Sequence, residues 1–328
     1  MPPQALDLAS LRPRLPSPLR PVEDERFTRR GVRLLLKRDD LIHPALAGNK
    51  WRKLEPNLRA AAHGGHRVLL TFGGAYSNHL RATAAAGRLL GFATVGVVRG
   101  DELATRPLNP SLARCAADGM RLRFVDRATY RRKTEPSVLR TILAAAVDGL
   151  PVPRERVYVV PEGGSNSLAA QGCTALGREL RGAADVVGVA CGTGGTLAGL
   201  AAGLAPGQRA VGFPVLKGGF LAGEVRALQS AAFGGPRGDW WLDERFHSGG
   251  YARTTPALDA FAADFEDRHA LPVERLYVAK MLHGLTTLAE EGAFPPGSTV
   301  AAVVTGRPPE PSERPGPGAD GAQSASSR

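Results

Sequence analysis

The chain has 328 residues, of which 43% are hydrophobic and 22% charged, a composition typical of a soluble globular protein with one or two domains. Its net charge of +11 comes mainly from arginines spread along the sequence, so we expect solvated charge and no nucleic-acid partner. The sequence shows no apolar run of membrane-spanning or signal-peptide length and no metal-ligand spacing among its cysteines and histidines, so we expect a cytoplasmic protein without a membrane span or a metal site.

Short apolar segments alternate with helical segments along the chain. The predicted strands are residues 67–72, 93–98, 121–125, 156–160, 185–190, 210–215 and 298–304. The predicted helices are residues 77–91, 110–119, 167–180 and 196–204. Because the strands are short and valine-rich and helices separate them, the pattern predicts an α/β fold with mostly parallel sheets. In such folds the loops after the strands lie along one edge, where ligands usually bind.

The segment GNKWRKLE at residues 48–55 places Lys50, Arg52 and Lys53 together after a glycine, although a helix start normally favours acidic residues. This arrangement indicates that an anion, or a group that reacts with an amine, meets the turn. A solvated lysine has a pKa of about 10.4 and is a poor nucleophile at neutral pH. Desolvation and neighbouring cations, here Arg52 and Lys53, would lower that value, so Lys50 is a candidate for Schiff-base formation with a carbonyl.

The loop CGTGGT at residues 191–196 follows one predicted strand and opens a predicted helix. Its glycines let backbone N–H groups converge where the helix dipole is positive, which favours a phosphate cradle. Leu197 stands where a dinucleotide fingerprint needs glycine, and the Gly-Lys-Ser/Thr of a mononucleotide loop is absent. A tight strand–helix turn without a ligand is the alternative interpretation.

Two further glycine-bearing loops follow predicted strands. In the loop at residues 71–83, Ser77, Asn78 and His79 either hold a carboxylate or contribute only a helix cap at Ser77. The loop PEGGSNS at residues 161–167 is best interpreted as another helix cap. A phosphate cradle combined with an imine-forming lysine suggests pyridoxal phosphate as the cofactor.

The order and spacing of these motifs resemble a known family, that of 1-aminocyclopropane-1-carboxylate (ACC) deaminase and D-cysteine desulfhydrase. The resemblance is carried by residues 17–22, 34–55, 71–83, 161–172 and 190–200, and it covers about residues 16–306. These are pyridoxal-phosphate enzymes of the tryptophan synthase β-chain fold group. The resemblance therefore implies that cofactor, a small amino-acid substrate and a homodimer.

The resemblance also implies a two-lobed α/β fold with mostly parallel open sheets, helices on both faces and the cofactor in the cleft between the lobes. The larger, cofactor-binding lobe would comprise residues 1–53 and 161–306, and the smaller lobe residues 54–160. Residues 307–328 are rich in Pro, Gly and Ser and lack an apolar pattern, so we expect a disordered tail.

The family's functional positions fall on identifiable residues of this sequence. The catalytic residues would be Lys50, which carries the cofactor's aldehyde as a Schiff base and moves the substrate's α-proton, Ser77, which takes part in proton transfer, and Tyr277, which lies beside the pyridine ring. Asn78 would bind the cofactor's phenolic oxygen. The cofactor phosphate would be held by Lys53, Gly192, Thr193, Gly194, Gly195 and Thr196. The substrate side would be lined by Ser77, His79 and Tyr251. For the two tyrosines, ordinary packing is the alternative.

Two positions bear on which reaction the resemblance implies. ACC deaminases carry glutamate directly after the family tyrosine, where this chain has Val278, whereas desulfhydrase-like members place a threonine near the final strand, as at Thr305. A carboxylate at the pyridine nitrogen stabilises a carbanion strongly, and a hydroxyl suits elimination. We therefore expect β-elimination from a small amino acid, with release of ammonia and a keto acid. Ala47 and Arg307 replace family glycines, and a displacement of Thr305 by Arg307 would remove the nitrogen partner.

Three other hypotheses remain open at this point. The first is ring opening of the ACC deaminase type, and the second is a pyridoxal-phosphate-binding protein of the same fold with little turnover. The third is a mononucleotide-binding α/β protein that uses residues 191–196. Only an enzyme releases a keto acid, and a mononucleotide-binding protein forms no imine at Lys50.

Overall fold

The computed structural model describes residues 7–46, 48–149, 153–250 and 252–308. Its strands are β1 (Leu19–Val22), β2 (Arg33–Lys37), β3 (Val68–Gly73), β4 (Ala93–Arg99), β5 (Met120–Val125), β6 (Val157–Val160), β7 (Val186–Cys191), β8 (Arg209–Pro214), β9 (Asp239–Leu242) and β10 (Thr299–Val303). Its α-helices are α1 (Glu25–Thr28), α2 (Lys50–His63), α3 (Asn78–Leu90), α4 (Pro110–Ala117), α5 (Arg127–Arg131), α6 (Pro136–Ala146), α7 (Ser167–Glu179), α8 (Gly195–Gly203), α9 (Leu221–Phe233), α10 (Pro256–His269) and α11 (Val278–Glu290).

The strands of the described residues form two separate sheets. The first sheet has the order β1-β2-β10-β7-β8-β9 and the second has the order β5-β4-β3-β6. Paired strands are parallel except for β1 and β2, which pair antiparallel at the edge of the first sheet. The predicted α/β fold with mostly parallel sheets is therefore confirmed.

Every strand predicted from the sequence has a counterpart in the structure, and three observed strands were not predicted. β1 and β9 have four residues each and lie at sheet edges, so their patterns are too short to stand out. β2 contains a run of leucines, and such a run is found both in strands and in buried helices, so the pattern alone does not identify a strand. The second sheet takes its strands from residues 68–160, and the first sheet takes its strands from the segments on either side. The lobe boundaries near residues 54 and 161 stay a prediction.

Helices cover both faces of the first sheet because its central strands are apolar on both sides. In β10, Val300 and Ala302 pack into one hydrophobic cluster, which includes residues of α10 and α11. Ala301 and Val303 point to the opposite face and pack with residues of α7 and α8. Alternate residues of a strand face opposite sides of its sheet, so this strand is buried on both faces.

The three glycine-bearing loops lie at the carboxyl ends of parallel strands. Residues 74–77 connect β3 to α3, residues 161–166 connect β6 to α7, and residues 192–194 connect β7 to α8. α7 and α8 pack closely. A Cβ atom at Gly199 on α8 would overlap with the carbonyl oxygen of Ala170 on α7, so only glycine fits there. The loops of both sheets therefore face one cleft, and α2 crosses between the sheets.

A buried network of charges fixes α2 against the first sheet. Arg52 on α2 donates from Nε and Nη2 to both oxygens of Asp39, each at 2.8 Å, and from Nη1 to Glu179 on α7 at 2.9 Å. The ammonium of Lys37 at the end of β2 contacts Glu179 at 2.6 Å and donates to the carbonyl oxygen of Ser17. Burial opposes the charged form of Glu179, but the bonds from Arg52 and Lys37 outweigh it and lower the pKa of this carboxyl.

Replacing Asp39 with alanine should lower the free energy of unfolding by about 3–5 kcal/mol, because Arg52 would keep a buried charge after the loss of one carboxylate partner. Urea unfolding followed by circular dichroism measures the loss. The control is Glu135→Ala, which removes the exposed ion pair with Arg132 (2.8 Å) and should cost less than about 1 kcal/mol. Similar losses in the two variants would contradict the importance of the buried network.

Candidate active site

A cavity of about 840 Å³ lies at the carboxyl ends of the strands, between the two sheets. Its volume falls in the range of about 300–1,000 Å³ that is common for small-molecule sites. It is lined by the start of α2, by the loops after β3 and β7, by Tyr277 before α11, and by Thr305 after β10. These are the segments in which the sequence predicts site residues.

The loop after β7 forms an anion cradle on one wall of this cavity. Gly194 has a left-handed backbone conformation (φ 77°), and α8 begins directly after it, so the first N–H groups of this nine-residue helix lie at the cavity. A Cβ atom at Gly195 would lie 2.8 Å from the hydroxyl oxygen of Ser165 and 3.3 Å from the ammonium nitrogen of Lys53. Glycine at this position therefore lets the hydroxyl of Ser165 and the ammonium of Lys53 lie against the start of α8.

Lys53 supplies a cation to the same cradle. Its Nζ donates to the hydroxyl of Ser165 at 2.9 Å and to the carbonyl oxygen of Gly163 at 3.2 Å. Ser165 is in turn hydrogen-bonded to the hydroxyl of Thr193. Burial lowers the pKa of Lys53. An anionic group in the cradle would therefore stabilise the charged form of this lysine.

Ser165 is a cradle residue that the sequence interpretation missed. The loop 161–167 does contain the expected helix cap, but the capping residue is Asn166, whose side-chain oxygen accepts from the N–H of Ala169 at 2.9 Å. The preceding serine is thereby left to face Thr193 and Lys53. The available signal was two consecutive polar residues before a helix. Because a cap needs only one of them, the other is left for a different role.

Lys50 is the first residue of α2 and lines the cavity. Its Nζ donates to the side-chain oxygen of Asn49 at 3.3 Å. Burial, and then the charge of Lys53, lower the pKa of Lys50 to about 7, although the negative charge of Glu274 opposes the shift. The expectation that Arg52 contributes to this shift is wrong, because Arg52 points into the network with Asp39.

The loop after β3 places Ser77, Asn78 and His79 at the cavity. Ser77 caps α3 by accepting from the N–H of Leu80 at 3.3 Å, so this serine is a helix cap and a cavity residue at once. His79 is buried, and its Nε2 lies 2.7 Å from the hydroxyl of Thr71. Burial, and then the charges of Lys50 and Lys53, lower the pKa of His79 to about 3, so the imidazole is neutral at physiological pH.

Glu274 is a second residue that the sequence interpretation missed. It is buried at the cavity wall, and its carboxylate accepts from the backbone N–H groups of Leu276, Tyr277 and Val278 at 2.7, 2.7 and 3.2 Å. It therefore caps the start of α11 and fixes the backbone of Tyr277. Burial raises the pKa of Glu274, against the effect of these hydrogen bonds. An acid four positions before the first residue of a helix was the available signal.

The structure keeps Thr305 at the cavity although Arg307 follows it. The N–H of Asn49 donates to the carbonyl oxygen of Thr305 at 3.0 Å, and the guanidinium of Arg307 lies 3.4 Å from the carboxylate of Asp40. Asn49 also donates from its side chain to the hydroxyl of Thr196 at 3.2 Å. Thr305, the cradle and Lys50 are thus linked through one residue.

The structure brings most of the predicted site residues to one cavity. Those that line it are Lys50, Lys53, Ser77, Asn78, His79, Gly192, Thr193, Gly194, Thr196, Tyr277 and Thr305. Gly195 lies next to Lys53 and Ser165. The ring of Tyr277 lies 3.4 Å from the position that a Cβ atom at Gly192 would take. Ala47, Tyr251 and the tail from residue 309 onward lie outside the described residues. The roles assigned to these residues stay predictions.

In the part of the chain that the structure describes, no group of three or more His, Cys, Asp and Glu side chains has the arrangement of a metal site. None of the helices in these residues is long and apolar enough to cross a membrane. Cys115, Cys173 and Cys191 are buried free thiols.

Comparison with known proteins identifies the family. Residues 12–306 match the family model described as pyridoxal-phosphate dependent enzyme, and the chain belongs to this family. D-cysteine desulfhydrase of Klebsiella pneumoniae (strain 342) is 30% identical over 299 residues, which cover 85% of this chain and 88% of that protein. D-cysteine desulfhydrase of Yersinia pestis (strain Pestoides F) is 36% identical over 186 residues, so the match spans about half the length of that relative (53%) and 53% of this chain.

A solved structure supports the same assignment. The crystal structure of an ACC deaminase homologue superposes with a TM-score of 0.75 at 26% identity, over 93% of this chain and 95% of that one. The resemblance to the ACC deaminase and D-cysteine desulfhydrase family is therefore confirmed, and so is pyridoxal phosphate as the cofactor.

The residues at the cavity fit this cofactor. Pyridoxal phosphate needs an amine for its aldehyde and donors for its phosphate. Lys50 offers an amine that is partly neutral near pH 7, and the start of α8 with Lys53 and Ser165 offers cationic and hydrogen-bonding groups. The absence of a side chain at Gly195 lets Lys53 and Ser165 approach the start of α8.

Replacing Gly48 with alanine should weaken cofactor binding by at least about tenfold, equivalent to about 1.4 kcal/mol. Gly48 has φ 55°, and a Cβ atom there would overlap with the carbonyl group of Thr305, so Asn49 and Lys50 would have to shift. Absorbance titration with pyridoxal phosphate measures the affinity.

The matched control is Gly91→Ala, because Gly91 also has a positive φ (75°) but nothing within 4 Å of its Cβ position. It should cost only the left-handed backbone penalty of about 1–2 kcal/mol in unfolding and leave the cofactor affinity unchanged. If both variants bound the cofactor as the wild type does, the contact between Gly48 and Thr305 would not support the site.

Proposed function

We propose that this chain is a lyase that uses pyridoxal phosphate to release ammonia and a keto acid from a small amino acid by β-elimination, as the name D-cysteine desulfhydrase of its relatives describes. The observation that carries the proposal is the environment of Lys50. Its pKa is lowered to about 7, and its helix also places Lys53 in an anion cradle. A lysine in this state serves as nucleophile and as general base near neutral pH.

In the proposed enzyme the cradle holds the cofactor by its phosphate. Gly192, Thr193, Gly194, Gly195 and Thr196 contribute backbone or hydroxyl donors, and Lys53 contributes positive charge. Thr305, whose backbone is fixed by Asn49, lies on the β10 side of the cavity and would face the pyridine nitrogen. Tyr277 would pack against the ring from the α11 side, since it lies close to Gly192.

The chain's own residues then move one proton. When bound, pyridoxal phosphate acts as an electron sink and acidifies the proton on the substrate's α-carbon. The neutral amine of Lys50 accepts this proton as general base. Ser77 and His79, which line the cavity, would hold the substrate carboxylate, and Asn78 would hold the cofactor's phenolic oxygen. Because its pKa is lowered to about 3, His79 would act as a neutral imidazole. Loss of the β-substituent leaves an aminoacrylate, which water converts into pyruvate and ammonia.

β-Elimination is favoured over ring opening by the groups available near the pyridine ring. Val278 is buried and apolar, so the position after Tyr277 carries no carboxylate. Glu274 does carry one, but its oxygens accept three backbone N–H groups at the start of α11. Ring opening of the ACC deaminase type is the second candidate, because the 26% identical crystal structure is that of an ACC deaminase homologue.

We further propose a cytoplasmic homodimer that binds no nucleic acid and whose partner is its small amino-acid substrate. The absence of a membrane-spanning helix among residues 7–46, 48–149, 153–250 and 252–308 is compatible with this setting. Several arginines form exposed ion pairs at the surface, such as Arg268 with Asp264 at 2.8 Å, which is typical of solvated charge.

The deciding experiment incubates the cofactor-loaded protein with D- and L-cysteine, other small D- and L-amino acids and ACC, and measures keto acid and ammonia. We expect pyruvate, ammonia and sulfide from cysteine of one configuration. Lys50→Ala should lower kcat/KM by about 10²–10⁴-fold, since it removes the general base.

Each outcome separates one hypothesis from the others. 2-Oxobutyrate from ACC without pyruvate from cysteine would replace β-elimination with ring opening. Cofactor absorbance without any keto acid from the panel would indicate a low-turnover binding protein. Full activity of Lys50→Ala would contradict the role of this lysine, and Arg140→Gln, an exposed change on α6, controls for effects of expression and folding.

A further inference from the structure

The wall of the cavity that the second sheet contributes is rich in cations. Arg81 on α3, Arg99 at the end of β4, Arg114 on α4 and Lys133 between α5 and α6 all line the cavity. None of these residues belongs to the cradle, which lies on the wall formed by the loop after β7. The cavity therefore presents two separate cationic regions, and the phosphate of the cofactor occupies only the one at the cradle.

The carboxylates of this wall do not balance its positive charge. Glu162 pairs with Lys133 at 2.9 Å. Asp118 is shared, because Arg88 contacts one of its oxygens at 2.8 Å and Arg114 lies 3.8 Å from the other. One acid thus serves two arginines, and an excess of positive charge remains at the cavity wall.

Among these cations, Arg99 is the one best placed to bind an anion in the cavity. One of its terminal nitrogens lies 3.6 Å from the Cβ position of Gly74, at the beginning of the loop that leads to Ser77. Its guanidinium carbon lies 5.9 Å from the ring centroid of Tyr130, which supports it from one side. The nearby acid Glu102 binds Arg127 at 2.6 Å instead, and no salt bridge found among the described residues involves Arg99.

The geometry points to a substrate that carries a second negative charge beyond its α-carboxylate, and to Arg99 as the residue that recognises it. This inference rests on the proposed β-elimination. Ser77 and His79 already serve the α-carboxylate in that proposal, so the group left for Arg99 is the substituent on the β-carbon. The substrate class is therefore a β-substituted alanine with an anionic oxyacid substituent, such as a phosphate ester.

The reaction on such a substrate balances without a further reagent. Lys50 accepts the α-proton, the bond between the β-carbon and the ester oxygen breaks, and the electron pair leaves with the phosphate. Water then converts the aminoacrylate into pyruvate and ammonia. Because an arginine forms charge-assisted hydrogen bonds with a phosphate before and after the bond breaks, Arg99 would aid both binding and departure of this group.

The test compares O-phosphoserine with the neutral O-acetylserine, each as the D- and L-enantiomer, by pyruvate release from the cofactor-loaded protein. We expect a higher kcat/KM for the phosphate ester than for the acetate ester. The ratio of these two kcat/KM values should fall at least about tenfold in Arg99→Gln. Arg99→Lys should retain part of the ratio, because the charge remains but the fork of donors is lost.

Arg140→Gln is the matched control, since Arg140 is an exposed arginine of the same lobe outside the cavity lining and its loss should preserve the ratio. A second measurement does not depend on turnover. Calorimetry with the Lys50→Ala protein should show that O-phosphoserine binds, that binding weakens as salt is added, and that Arg99→Gln in this background weakens it at least about tenfold.

Two results would overturn the inference and leave the proposed function in place. The first is turnover of O-acetylserine with no preference for the phosphate ester and no change of the ratio in Arg99→Gln. The second is an equal loss for both substrates, which would assign Arg99 to the α-carboxylate. If neither these esters nor cysteine released pyruvate, the proposed function would fail, and the calorimetric comparison would still decide the role of Arg99.

Discussion

The site depends on the burial of two lysines, one turn apart on α2, against the same cavity. Lys50 and Lys53 are three positions apart, so their side chains lie on one face of the helix. Removal from water penalises both charges, and each charge is unfavourable for the other. Lys53 has oxygen acceptors in Gly163 and Ser165, whereas Lys50 has only the amide oxygen of Asn49 at 3.3 Å among its hydrogen bonds in the described residues. The two lysines therefore differ: Lys53 has acceptors for its charge and is the one proposed to hold an anion, whereas the pKa of Lys50 is lowered to about 7.

The rest of the fold places this pair and keeps it in place. The network of Arg52, Asp39 and Glu179 anchors the buried side of α2 to the first sheet. The contact between Gly48 and the backbone of Thr305 fixes the start of the helix. Glycines in the loops after β3, β6 and β7 then let the second half of the site approach the lysines. Strand ends and helix starts position side chains more precisely than long loops do, which suits chemistry that needs a fixed base.

Much of this arrangement could be predicted from the sequence, because local signals and tertiary placement agree. Valine-rich strands indicated elements that the structure contains, and the glycine-bearing loops, Lys50 and Lys53 indicated segments that lie at the cavity. Ser165 and Glu274 were missed for a common reason: each lies next to a helix start, where a polar residue already has a local explanation. Arg52 was assigned to the wrong partner, because spacing along a helix does not reveal which cation faces the cavity and which one faces a buried carboxylate.

The central claim is that the pKa of Lys50 in the folded protein is lowered to about 7, so that about half of its amines are neutral at pH 7. The most direct measurement is competitive acetylation of the cofactor-free protein across a pH series, with each lysine quantified by peptide mass spectrometry and the exposed Lys217 as reference. The account predicts that the reactivity of Lys50 is half-maximal close to pH 7. A midpoint near the value of a solvated lysine, about 10.4, would contradict it.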